Sequence, residues 1–170
     1  MMCLAKKFPL QLKKDYKMED SIPMLTTEIR NKTVGIIGLG TIGTKATEIC
    51  NSLGMNVIYW NRTEKNNNYK KVDLETIFTI ANFILPTFAT NEDTRKLISD
   101  ELINKMNGNA IINVINNPEE IYNHKLLLKL AKEGKISYAF EIYDDGKKME
   151  NTLTIYLIMM FIHMQYLKTN

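Results

Sequence analysis

Three glycines at positions 38, 40 and 43 restrict the architecture open to this chain more than any other feature. Gly38-Leu39-Gly40-Thr41-Ile42-Gly43 matches GxGxxG. The turn follows Thr33-Val34-Gly35-Ile36-Ile37, apolar almost throughout as a strand buried on both faces must be. It opens a stretch, Ile42 to Leu53, that suits a helix, with Gly54 placed as its left-handed cap. In such a strand–turn–helix the first glycine permits the tight turn and the second lets backbone approach a pyrophosphate. The third lets helix and strand pack closely. Free N–H groups at the helix start, with the peptide dipoles behind them, favour an anion there. A glycine-rich turn without a ligand is the alternative. Against it stands a second strand, Asn56–Trp60, ending where a dinucleotide ribose would be read.

The remainder alternates short β-like runs with helical stretches, the pattern of a parallel sheet covered by helices. Asn61 to Lys71, rich in Asn and Lys, reads as a surface loop. Asp73 caps a short helix over Leu74–Ile80, and Phe83-Ile84-Leu85 is the next strand. Ser99 caps a helix over Asp100–Met106 ended by Gly108, and Ala110–Ile115 is a fourth strand. Asn117 as cap, Pro118 at the first position and Glu119-Glu120 near the positive end start a helix running to Glu133, with Gly134 as the stop. Ile136–Tyr143 is a fifth strand. The expectation is α/β: a doubly wound parallel sheet in a single three-layer domain over residues 32–150. A polar lead-in, residues 1–31, precedes it and an apolar tail, residues 151–170, follows.

Bulk properties exclude several classes. With 45% hydrophobic and 24% charged residues in 170, the composition is that of a soluble globular protein. The net charge of +3 is small, and pairs such as Lys6-Lys7 and Lys13-Lys14 read as solvated faces rather than a nucleic-acid footprint. Cys3 and Cys50 form no CxxC, so neither a metal site nor a disulfide framework is expected, and a reducing cytoplasm is the natural setting. The N-terminal residues do not read as a signal peptide. The apolar run Leu153 to Met164 is shorter than the roughly 20 residues a membrane span needs, and reads as a buried strand or helix.

The ribose-reading position carries a departure. A carboxylate there would accept hydrogen bonds from the 2′-OH of NAD, but this chain has Trp60-Asn61-Arg62-Thr63. A neutral amide followed by arginine removes the repulsion toward a 2′-phosphate and offers it a bidentate donor. NADP is therefore as open as NAD. Alternatively, Arg62 merely starts a solvated loop.

The motifs together resemble one family. KTVGIIGLGTIG at 32–43, LGMNVIYWNRT at 53–63, NEDTRKLISDELINKM at 91–106, GNAIINV at 108–114 and LLLKLAKEGKISYAFEIY at 126–143 are similar, in order and spacing, to the NAD domain of the D-isomer-specific 2-hydroxyacid dehydrogenases. The resemblance covers roughly residues 24–145. It implies a Rossmann-type fold, hydride transfer between nicotinamide and C2 of a 2-hydroxy or 2-oxo acid, and pairing into a homodimer.

It also implies roles. Gly38, Gly40, Thr41, Ile42 and Gly43 would hold the pyrophosphate, and Asn61 and Arg62 would face the adenosine ribose. Thr87 and Thr94 would approach the nicotinamide ribose, although Pro86 breaks the family pattern, and Val114, Ile115 and Glu141 would neighbour the nicotinamide. The family's substrate-clamping arginine falls at Asn116, which has no charge to pair with a carboxylate. Its catalytic histidine belongs in a TPH-like segment, whereas 151–156 reads Asn-Thr-Leu-Thr-Ile-Tyr. His163 reads as a packed or surface residue and His124 as a solvent-side one. The carboxylate that tunes the histidine would lie near Asp145 or Gly146. Residues 1–31 resemble the family's interdomain helix, and the separate substrate domain is not recognisable in this chain. The readings that follow are a divergent dehydrogenase, a non-catalytic dinucleotide-binding or dimerisation module, or a fragment of a longer dehydrogenase.

Overall fold

Thr33–Ile37 forms the central strand, β1, of a computed structural model that describes residues 28–65, 67–106, 111–114 and 118–140, with only the backbone considered at 111–114, 118–119 and 139–140. β2 (Asn56–Trp60) lies parallel to β1, in register from Thr33↔Asn56 to Ile37↔Trp60. Between them runs α1 (Thr41–Ser52), closed as expected by Gly54, whose φ of 73° is left-handed. β3 (Lys70–Lys71) extends the sheet beyond β2, pairing Ile58↔Lys70 and Tyr59↔Lys71. The sequence reading carries the loop through Lys71, so β3 is a correction. Both lysines are exposed at a sheet edge; an edge strand needs no apolar run, so composition leaves no mark of it.

α2 (Leu74–Ile80) begins at Asp73, whose carboxylate accepts from Thr76 N at 2.6 Å, and leads into β4 (Phe83–Pro86). α3 (Asp100–Asn104) is capped by Ser99 as expected but ends at Asn104, with Lys105 as its C-cap, short of Met106; Gly108 lies outside the described residues. β5 (Ile111–Val114), α4 (Pro118–Ile121), α5 (His124–Lys132) and β6 (Ser137–Phe140) complete the set. All pairings are parallel, in the order β3-β2-β1-β4-β5-β6.

The expected single helix from Pro118 to Glu133 is two helices. Asn123 breaks it by capping α5: its Oδ1 accepts from Leu126 N at 3.1 Å while its Nδ2 donates to Asp100 at 2.9 Å. Tyr122 turns inward, and its hydroxyl lies 3.0 Å from that of Tyr138. His124, expected at the solvent side, is half-buried with Nδ1 2.8 Å from the Tyr138 hydroxyl.

The strand order reverses direction at β1, and right-handed crossovers then put helices on both faces of the sheet. Gly35 marks the α2 face: a Cβ there would stand 2.5 Å from Ile77 Cγ2 and 3.3 Å from the Ala81 Cβ. Its neighbours Val34 and Ile36 project to the opposite face. Val34, Ile36, Ile37, Ile77, Phe78 and Ile84 are completely buried, which is why β1 and β4 read as continuous apolar runs. Residues Ile29–Glu141 form one compact unit. Ile115, Asn116, Asn117, Glu141, Cys3, His163 and the tail 151–170 lie outside the described residues. Among the described residues no helix is long and apolar enough to cross a membrane, and no group of three or more His, Cys, Asp or Glu could hold a metal ion. Cys50 is buried and unbridged, its thiol pKa raised by that burial.

Candidate functional site

The C-terminal end of β1 is flanked on both sides, because Ile37 pairs with Trp60 of β2 and with Pro86 of β4. The chain turns here through the three glycines. Gly38 N donates to Trp60 O at 2.8 Å, and its φ of 98° is open only to glycine without strain. A Cβ on it would also meet Phe88 Cβ at 2.8 Å. Gly43 is held from the other direction, since a Cβ there would overlap Gly38 O and stand 2.6 Å from Thr87 Oγ1. Thr87 fastens this junction, donating from Oγ1 to Gly38 O at 2.6 Å and from its backbone N to Ile37 O at 2.8 Å. Thr47, one turn into α1, donates to Gly43 O at 2.8 Å.

Gly40 differs from both. Its φ of −79° is open to any residue, and a Cβ built on it would meet nothing within 4 Å. Neither its conformation nor packing against the described residues requires glycine there. It is the N-cap of α1, and as a glycine it has no side chain with which to cap the helix. The N–H groups of Thr41, Ile42 and Gly43 therefore have no intrahelical acceptor. Ile42 projects beside them and is 52% exposed. An open backbone corner against an uncapped helix start, at the point where the strand order reverses, suits the pyrophosphate of a dinucleotide. The residues present fit that group.

Asn61 is drawn into the turn. Its Oδ1 accepts from Leu39 N at 3.1 Å, and its Nδ2 donates to Thr63 O at 2.8 Å, so it braces the backbone between the first two glycines. Arg62 reaches across instead, with Nη1 3.0 Å from Asp93 Oδ2 in the connection that follows β4. Thr94 is buried in that same connection, donating to Ala89 O at 2.9 Å and accepting from Asn91 N at 2.8 Å. The backbone of Val114 ends β5, paired with Phe140 of β6. The structure thus gathers Gly38, Gly43, Thr87 and Asn61 around the turn and sets Arg62 and Thr94 on the rim; Ile115, Asn116 and Glu141 lie outside the described residues. Sequence reasoning missed Phe88 and Asp93. The turn Asn91–Thr94 has a local signature, with Asn91 Oδ1 accepting from Asp93 N and Thr94 N, but nothing local marks an ion pair spanning 31 residues.

Comparisons with known proteins identify the family. The family model for the NAD binding domain of D-isomer specific 2-hydroxyacid dehydrogenases matches residues 2–151. A glyoxylate reductase of Aeropyrum pernix is 31% identical over 121 residues, 68% of this chain and 36% of that protein. A Staphylococcus aureus protein assigned to the 2-hydroxyacid dehydrogenases is 34% identical over 140 residues, 74% of this chain and 44% of its own length. This chain therefore spans less than half the length of either relative. The solved D-isomer specific 2-hydroxyacid dehydrogenase of Lactobacillus delbrueckii ssp. bulgaricus, in its NAD complexed form, superposes with a TM-score of 0.74 at 20% identity, over 91% of this chain and 50% of that one. The chain belongs to the D-isomer specific 2-hydroxyacid dehydrogenase family, and what it carries is that family's NAD-binding domain.

Proposed function

We propose that this chain holds NAD or NADP in the crevice above β1, as the cofactor module of a 2-hydroxyacid dehydrogenase, and that alone it does not turn over a 2-oxo acid. One observation carries the reading: Gly40 is a glycine that packing among the described residues does not need, at a helix start whose N-cap residue has no side chain. A ligand backed against the turn supplies the reason. The turn, with Thr41, Ile42 and Gly43, would hold the pyrophosphate; Asn61 and Arg62 would lie toward the adenosine ribose. Thr87 and Thr94 would support the wall beside the nicotinamide ribose, with Val114, Ile115 and Glu141 near the nicotinamide itself. A bound nicotinamide supplies the hydride exchanged with C2 of the acid. The residues of this chain bind and orient that cofactor; Asn116, where the family places an arginine, leaves no charge-assisted clamp for the acid's carboxylate. Homodimer formation belongs to the same reading, and a sedimentation mass of one chain would contradict it.

Trp60 is a built-in probe, because it ends β2 and its carbonyl holds Gly38 N. Titration of the purified chain with NAD and with NADP should change its fluorescence saturably. No change with either at millimolar concentration would overturn the proposal. NADH or NADPH supplied with glyoxylate, pyruvate or hydroxypyruvate should show no consumption above background. Turnover would overturn the non-catalytic part alone.

A further inference from the structure

The two loops leaving the strands on either side of β1 are tied together by one ion pair. Arg62 follows β2 by two residues, Asp93 follows β4 by seven, and both strands end in register with Ile37. Arg62 Nη1 and Asp93 Oδ2 are 3.0 Å apart, with side chains 58% and 69% exposed. Asp93 is held for this contact by the turn it sits in, where its N–H donates to Asn91 Oδ1 at 3.0 Å and the buried Thr94 closes the loop onto Ala89.

From this juxtaposition we infer that Asp93, by occupying Arg62, sets how strongly the crevice discriminates a 2′-phosphorylated dinucleotide from one with a free 2′-hydroxyl. The inference rests on the cofactor-binding reading above. An arginine at the end of β2 is a donor for a 2′-phosphate only while its guanidinium is available. Paired with Asp93 it presents nearly zero net charge, and a phosphate dianion must displace a carboxylate that also repels it. A free 2′-hydroxyl carries no charge and is indifferent to the exchange. Asp93 therefore works selectively against NADP and leaves NAD binding almost untouched. Because both partners are exposed, the pair is weak, so the handicap is modest and screened by salt.

The test is calorimetric titration of the full chain, at low ionic strength, with NAD and NADP for the wild type, Asp93→Asn, Asp93→Glu and Arg62→Ala. Asp93 is exposed and its turn is held by backbone and Asn91 contacts, so Asp93→Asn keeps the fold. Asp93→Asn should tighten NADP by about two- to fivefold, the range expected of an exposed ion pair, with NAD changed less than about twofold. Asp93→Glu should restore the wild-type ratio. Arg62→Ala should weaken NADP and, when the two are combined, reduce the effect of Asp93→Asn to the small part due to direct repulsion. Equal movement of both dinucleotides, or no movement, would overturn the inference while leaving the cofactor site standing. Failure of the wild type to bind either dinucleotide would overturn the underlying reading and this inference with it.

Discussion

Two glycines three residues apart, Gly40 and Gly43, answer to different demands, and single substitutions separate them. At Gly43 a Cβ meets Gly38 O and Thr87 Oγ1, both held by the β1–α1 junction. Gly43→Ala should therefore cost about 1–3 kcal/mol of stability, read as a lowered denaturant midpoint. At Gly40 the conformation accepts alanine and the space among the described residues is open, so Gly40→Ala should leave the midpoint nearly unchanged, the entropy gained in the unfolded chain offsetting alanine's poorer fit to an N-cap. The same substitution should weaken dinucleotide binding by about tenfold, because the new methyl takes the space the proposal gives to the pyrophosphate. A destabilised Gly40→Ala would show that the chain itself needs this glycine. At this scale the sequence was most informative: the glycine spacing located the turn and its neighbours. Asn61 was legible as a residue at the end of β2 but not as the acceptor for Leu39 N, since that bond depends on how two loops approach each other.

Helices and strands were legible wherever a cap or a doubly buried apolar run announced them. β1 and β2 and the Asp73 and Ser99 caps stand where the residues placed them. The failures have a common physical form, in which a contact distant in sequence overrides a local pattern. Asn123 interrupts a helix that Pro118 starts well, because Tyr122 is needed in the core against Tyr138. The two hydroxyls and His124 form a chain of hydrogen bonds, at 3.0 and 2.8 Å. Tyr138→Phe removes the partner of the buried Tyr122 hydroxyl and should cost about 1–3 kcal/mol; Tyr122→Phe, which leaves Tyr138 its bond to His124, should cost less. Urea unfolding of both variants compares them, and equal costs would contradict the linear chain.

Burial raises the pKa of both tyrosines, more strongly for Tyr122, where the neighbouring Tyr138 adds to it. A raised folded pKa gives a contribution fully present below the unfolded value near 10 and lost as pH rises through the folded one. Stability should therefore fall above about pH 10, with the phenolate absorbance of this pair appearing only as the fold is lost. At the acid end, hydrogen bonding to Thr76 lowers the pKa of Asp73. Its cap on α2 is thus in place above the ordinary carboxylate range and disappears as pH falls through the lowered value. Asp73→Ala should flatten that part of the acid profile.

On the scale of the whole molecule, sheet order decides where chemistry can occur. Alternating strands and helices were legible in the sequence, whereas the two-residue edge strand β3 was not, its lysines being as suited to a loop. The order reversal at β1 opens a crevice between the loops after β2 and β4, and every described candidate residue except Val114 lies in the turn at its floor, at the start of α1 or in one of those two loops. The family model matches this chain's sequence over residues 2–151, and the chain spans 36% and 44% of two relatives. The central claim, a working dinucleotide site in this unit, is tested most directly by titrating NAD and NADP against the Trp60 fluorescence of the wild type and of Gly40→Ala. Saturable quenching or enhancement in the wild type, weakened about tenfold in the variant at unchanged stability, is the predicted result. Identical titrations for the two proteins, or no signal from either, would contradict the claim.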